Sequence, residues 1–125
     1  MEWGPAFTLP VKDLNLKKSD WIDIAVNIYC VDSIPPEVIL VASLKSGQKQ
    51  MYWNGADLRN FWLKPGWNRL ILNLSIIDLP FIRKDQVFTT YIWNKGLRNI
   101  FIDDYEIAVK EGNPRIYGFY YNMEK

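Results

Sequence analysis

Apolar and polar residues alternate with a period of two along most of the chain. In residues 21–31 the even positions Ile22, Ile24, Val26, Ile28 and Cys30 are apolar, while Asp23, Ala25, Asn27 and Tyr29 take the other parity. Successive side chains of an extended strand point to opposite faces, so this spacing predicts a strand with one buried and one open face. Asn68, Leu70, Leu72, Leu74 and Ile76 make a second row, with Trp67, Arg69, Ile71, Asn73 and Ser75 on the reverse. Val38, Leu40, Ala42 and Leu44 make a third, and there the intervening Ile39 and Val41 predict a strand covered on both sides. No segment sustains an apolar repeat of about 3.6 residues over three helical turns.

Residues 7–11, 49–54, 86–94, 98–109 and 115–121 complete a set of eight or so predicted strands, punctuated by the turn dipeptides Ser46-Gly47, Asn54-Gly55, Pro65-Gly66 and Lys95-Gly96. Residues 55–63 are the one stretch read as a helical turn or irregular loop. Within 98–109 the apolar phase flips: Ile100 and Ile102 hold one parity, and Tyr105, Ile107 and Val109 the other. A β-bulge at Asp103-Asp104 is the simplest cause. The expected architecture is all-β, an antiparallel two-sheet β-sandwich with Ile22, Ile24, Val26, Ile28, Leu70, Leu72, Leu74, Ile100 and Ile102 between the sheets.

Length and composition narrow the function. With 125 residues, 49% of them hydrophobic, residues 1–125 read as one domain able to fold without a metal or disulfide. An immediate entry into strand suggests a domain excised from a longer protein. The net charge of +1 leaves no field for holding nucleic acid. The absence of histidine excludes a serine triad, a Cys–His dyad and a His-ligated zinc. Cys30, the sole cysteine, sits on the apolar parity of its strand and reads as an inert small hydrophobe. No run of about 18 apolar residues supplies a membrane span, and Met1-Glu2-Trp3-Gly4-Pro5 lacks the pattern of a secretory leader.

Aromatic residues are the richest chemical feature: six Trp, seven Tyr and six Phe make up 15% of the chain. The C–H face of a sugar ring stacks on an indole or phenol, and its hydroxyls need Asn, Asp, Arg or Gln alongside. Trp53-Asn54, Trp67-Asn68 and Trp93-Asn94 each place such a pair at a strand end, where the competing reading is packing under loops and capping of turns. Trp67, Arg69 and Asn73 lie opposite the leucine row of their strand. Tyr91 and Trp93 share a parity with Val87 and Thr89, against Phe88, Thr90 and Ile92, and either row could face the core. If the two strands belong to one sheet, Trp67, Arg69, Asn73, Tyr91 and Trp93 form an aromatic face with a polar edge. Stacking would fall to Trp67, Tyr91 and Trp93, and the holding of hydroxyls to Arg69, Asn73 and Asn94.

Two neighbouring carboxylates at a bulge, Asp103 and Asp104, can serve a backbone turn or a structural calcium. Adjacent strand residues point to opposite faces, which is wrong for the pair of carboxyl groups that flank a glycosidic bond, so a glycosidase is not expected, and without the usual acid–base residues neither is another enzyme. Lys12, Lys17 and Lys18 are interspersed with Asp13 and Asp20 and read as a solvated loop. The segment Ile116-Tyr117-Gly118-Phe119-Tyr120-Tyr121 is apolar on both parities and supports a second reading, a structural or interaction module that docks on a neighbouring domain of its parent protein.

Phe101-Ile102-Asp103-Asp104-Tyr105-Glu106-Ile107 resembles the final strand of the galactose-binding-like β-sandwich superfamily, whose carbohydrate-binding modules often end in an aromatic-aliphatic-Asp-Asp-aromatic-x-aliphatic strand. Pro65-Gly66-Trp67-Asn68-Arg69-Leu70 resembles that family's Gly-x-Trp strand entry, and residues 21–31 resemble its long second strand. The resemblance implies a jelly-roll sandwich that binds carbohydrate without catalysis, in an extracytoplasmic setting: secreted, periplasmic or at the cell surface. The family's structural calcium usually draws on an acidic or carbonyl-rich N-terminal strand, where here only Glu2 precedes Phe7-Thr8-Leu9.

Overall fold

The computed structural model describes residues 3–79 and 83–111. Seven strands are found among them: β1 (Trp3–Pro10), β2 (Trp21–Cys30), β3 (Val38–Ser46), β4 (Lys49–Asp57), β5 (Gly66–Ser75), β6 (Val87–Asn94) and β7 (Phe101–Lys110). They form a four-stranded sheet in the order β1-β6-β3-β4 and a three-stranded sheet in the order β5-β2-β7. Every neighbouring pair is antiparallel. The fold is the expected all-β two-sheet sandwich. No helix among the described residues is long and apolar enough to cross a membrane.

The middle strand of the smaller sheet organises the core. Along β2 every even side chain is buried and every odd one half-buried. β5 pairs with it residue for residue from Trp21↔Ser75 to Cys30↔Gly66, which brings Leu74, Leu72 and Leu70 level with Ile22, Ile24 and Val26. From the other sheet Val38, Leu40, Ala42 and Leu44 of β3 and Phe88 and Ile92 of β6 close over this row. Each fully buried aliphatic side chain contributes about 1.5–3 kcal/mol relative to exposure. β3 is covered on both sides as its sequence predicts, with Val41 buried and Ile39 half-buried on the outward parity.

A bulge reverses the phase of β7. Ala25 pairs with Glu106 but Asn27 pairs with Asp103, so Val26 stands opposite two residues, Asp104 and Tyr105. Asp104 adopts a φ of 52°, a left-handed conformation that Asp tolerates better than most residues because its short polar side chain bonds locally. The Asp103 carboxylate accepts the Asp104 N–H at 2.9 Å, and the Asp104 carboxylate accepts Asn27 Nδ2 at 2.9 Å. The extra residue turns Tyr105 into the sandwich, where its hydroxyl lies 2.8 Å from Thr90 Oγ1 of the opposite sheet and its ring stands edge-on to Phe7, 4.9 Å away. Burial pushes the Tyr105 phenol up to about 12.

Some local expectations shift. β4 continues through Asn54-Gly55 to Asp57, and a 3-10 turn follows at Leu58–Asn60, with Leu58 buried and the Asp57 carboxylate accepting the Arg59 N–H at 3.0 Å. Ile100 precedes β7 rather than lying within it, and is half-buried against the core. The predicted strand at 115–121, with the apolar tail on which the docking reading rests, lies outside the described residues.

Leu72→Ala truncates the inner row and is expected to cost about 2–5 kcal/mol in urea unfolding, whereas a cost below about 0.5 kcal/mol would place that row in solvent. The folded state holds the Tyr105 phenol neutral above its unfolded value of 10.0. Its contribution to stability is therefore complete below pH 10 and declines as pH rises from about 10 to about 12, since the unfolded chain ionises first. Urea midpoints across that window should fall more steeply for the wild type than for Tyr105→Phe, and equal slopes would contradict the buried phenol.

Candidate functional site

The outward parity of the three-stranded sheet forms one continuous face, and its register arranges it in rows across the strands. Tyr29 pairs with Trp67 on one side and Phe101 on the other. Their rings line up across all three strands, Tyr29 lying 5.1 Å from Trp67 and 6.0 Å from Phe101 between centroids. Trp67 is 49% exposed and Phe101 67%, far more than a core requires.

Next along the strands comes a polar row built on Asn27, paired with Arg69 and Asp103. Arg69 Nη1 donates to Asn27 Oδ1 at 3.0 Å and Nη2 to Glu106 Oε1 at 2.9 Å. Together with the Asn27–Asp104 bond this gives a chain of side-chain hydrogen bonds, Asp104–Asn27–Arg69–Glu106, that runs from β7 across β2 to β5 and back to β7. The Arg69–Glu106 pair is largely exposed, which makes it worth about 0–1 kcal/mol, so its consequence is the fixed orientation of the guanidinium. Beyond it lies a depression of about 220 Å³ with Ala25 and Ala108 in its floor, bounded by Arg69, Ile71 and Asn73 of β5 and by Glu106 and Lys110 of β7. Asn73 donates there to the Asp23 carboxylate. The face carries Asp23, Asp103, Asp104 and Glu106 against Arg69 and Lys110, an excess of negative charge.

Of the residues singled out from sequence, Trp67, Arg69 and Asn73 stand together on this face. Tyr91 and Trp93 do not join them, because β6 belongs to the four-stranded sheet and directs both rings to the opposite side of the sandwich. The single five-residue face depended on both strands sharing a sheet, and they do not. On β6 the row Phe88, Thr90 and Ile92 is the core one. Asn94 is 4% exposed and holds the turn that follows it: its Nδ2 donates to the Arg98 carbonyl at 2.7 Å, and its Oδ1 accepts the Arg98 N–H at 3.2 Å. Asn68 is bound in the same manner, accepting the Leu63 N–H and donating to the Lys64 carbonyl, both at 2.8 Å. These two asparagines close loops. Tyr29, Asn27, Phe101 and Glu106 enter the site unforeseen. The odd parity of β2 already displayed Tyr29 and Asn27, and what the sequence lacked was the knowledge that β2 lies between β5 and β7.

Asp103 and Asp104 are occupied in shaping the bulge, and the described residues contain no group of three or more His, Cys, Asp or Glu side chains placed to hold a metal ion. Cys30 is buried, and burial raises its thiol above the usual range. Behind it, Arg98 binds Asp32 and holds that carboxyl below the usual carboxylate range.

No protein-family model matches the chain, and no curated protein matches it. Among solved structures it is similar to a cyclase from Fischerella sp. TAU in complex with 4-(1H-indol-3-yl)butan-2-one, with 12% identity and a TM-score of 0.48 over 78% of this chain and 52% of the cyclase. The chain thus spans about half the length of that protein. It is also similar to a structure described as "CBM4 structure and function", with 6% identity and a TM-score of 0.39 over 76% of this chain and 68% of the other. Likenesses of this degree leave the function to be read from the face itself.

A chelator should leave the melting temperature unchanged, because the Asp103 and Asp104 carboxylates already have protein donors. A fall restored by added calcium would show instead that an ion binds the folded state and stabilises it by mass action.

Proposed function

We propose that the chain is a non-catalytic carbohydrate-binding module whose ligand lies on the outer face of the three-stranded sheet. The observation that supports this reading is the registered row of Phe101, Tyr29 and Trp67 beside the hydrogen-bonded strip of Asn27, Arg69 and Glu106. Three rings in line, with Tyr29 tilted at 58° to Trp67 and 56° to Phe101, offer separate apolar ring faces to the C–H groups of a sugar, and the strip offers donors and acceptors whose positions are set before any ligand arrives. Such pre-organisation matters because an exposed site must recover the ordering cost of its ligand from few contacts. The depression beyond the strip is smaller than a drug-sized pocket of roughly 300–1,000 Å³ and suits a single ring or its substituent. The excess of carboxylates selects an uncharged glycan over a uronate- or sulfate-bearing one by like-charge repulsion. Glycans of that kind are met outside the cytoplasm, which is where the module belongs in this reading.

Affinity electrophoresis in gels containing neutral polysaccharides, with uronate-rich ones in parallel, tests the proposal. The wild type should be retarded by a neutral polymer and not by an acidic one. Trp67→Ala should weaken that retardation about tenfold, equivalent to ~1.4 kcal/mol, while melting close to the wild type because the ring is half in solvent. If no polymer retards the folded wild type, the sugar reading fails and the face becomes a docking surface for a neighbouring domain.

A further inference from the structure

The far side of the sandwich carries aromatic side chains that the proposed site does not use. Trp53 projects from the edge strand β4, pairs across with Ser43, and is 43% exposed. Two residues along, on the same parity, stands Gly55. A Cβ on Gly55 would lie 2.7 Å from Ile39 Cγ2 and 3.0 Å from Trp53 Cη2, so the indole leans across the glycine toward Ile39, in space that any side chain at 55 would take. One side of the ring is thereby seated on the sheet, and the exposed side faces solvent. Val41, opposite Gly55, is fully buried although it points outward, which shows that the side chains above it form a closed layer. Tyr91 pairs with Val41, and Trp93 with Ile39, so the same layer continues across the sheet.

A polar rim borders this layer. Glu37 forms ion pairs with Arg59 and with Lys95, each at 3.3 Å, and Arg59 also binds Asp57 at 2.6 Å. Lys95 Nζ lies 5.2 Å from the Trp93 ring centroid, within cation–π range. The face thus carries a seated, half-exposed indole at one end and, at the Ile39 and Trp93 end, charged groups already bound to one another.

We propose that the outer face of the four-stranded sheet is a second carbohydrate platform, with Trp53 as its stacking residue and Gly55 as the positioning residue whose missing side chain leaves room for the indole. The ligand class rests on the sugar-binding reading of the first face, whereas the geometry rests on separate side chains. Two platforms on opposite sides of one sandwich bind two chains at once, so the module cross-links a polymer, and its retention exceeds what either face gives alone.

The test compares wild type, Trp67→Ala, Trp53→Ala, the double variant and Gly55→Ala in gels containing hydroxyethylcellulose, galactomannan or xylan, each protein also melted. Each single tryptophan variant should keep part of the wild-type retardation and the double variant none. Gly55→Ala must displace both Ile39 Cγ2 and the indole, so it should melt below the wild type yet remain folded, and lose retardation as Trp53→Ala does. Loss of all retardation in Trp67→Ala alone overturns the second platform and leaves the first intact. Gly55→Ala and Trp53→Ala variants that lose stability but keep full retardation reduce Trp53 to a cover for Val41, and also overturn it. If Trp53→Ala abolishes retardation while Trp67→Ala has no effect, the second platform stands and the first falls. A wild type retarded by none of the three polymers overturns both.

Discussion

The burial of β2 between two partners is the constraint on which the rest of this molecule depends. Its even side chains have left solvent, and slipping the pairing by one residue would bring Asp23 and Asn27 into the core in place of Ile22, Ile24, Val26 and Ile28. The register with β5 and β7 is therefore determined by desolvation, and the outer face inherits it. Tyr29 meets Trp67 and Phe101 because Ile28 must face the other sheet. The aromatic row is the reverse side of a packing requirement, which is why it is in line and why it needs no contacts of its own to stay so.

The bulge at Asp103-Asp104 joins core and face in one device. The inserted residue reverses the side-chain phase, sending Tyr105 inward to Thr90 and freeing Asp104 for Asn27 outside. A regular β7 would have carried Tyr105 to the surface and broken the hydrogen-bonded strip at its edge. The strained φ of Asp104 is supported by two side-chain bonds, and the neutral phenol of Tyr105 has a hydroxyl partner in an otherwise apolar interior.

Polar side chains that looked alike in the sequence divide by burial into two kinds. Asn68 and Asn94 sit where strand and loop meet, are excluded from water, and direct their own buried amides to backbone groups of the exposed loops beside them. Asn27 and Asn73 sit within strands on the open face, and bind other side chains that remain accessible to solvent. The first kind is required by the fold, whereas the second stays open to solvent.

Local periodicity determined a great deal on its own: the existence of the seven described strands, the leucine and isoleucine rows, the double covering of β3 and the position of the bulge. Each of these is a relation between residues a few positions apart, set by the two-residue repeat of an extended chain and by the need to remove apolar groups from water. Only the tertiary structure decided which strands became neighbours. Parity places Trp67 and Tyr91 on faces of their own strands, but their separation on opposite sides of the sandwich follows from the pairing of β6 with β1 and β3 and of β5 with β2. The seating of Trp53 over Gly55 against Ile39 is likewise a contact between strands. Such pairings are chosen by the summed packing of the whole core, a non-local quantity that no window of the sequence contains.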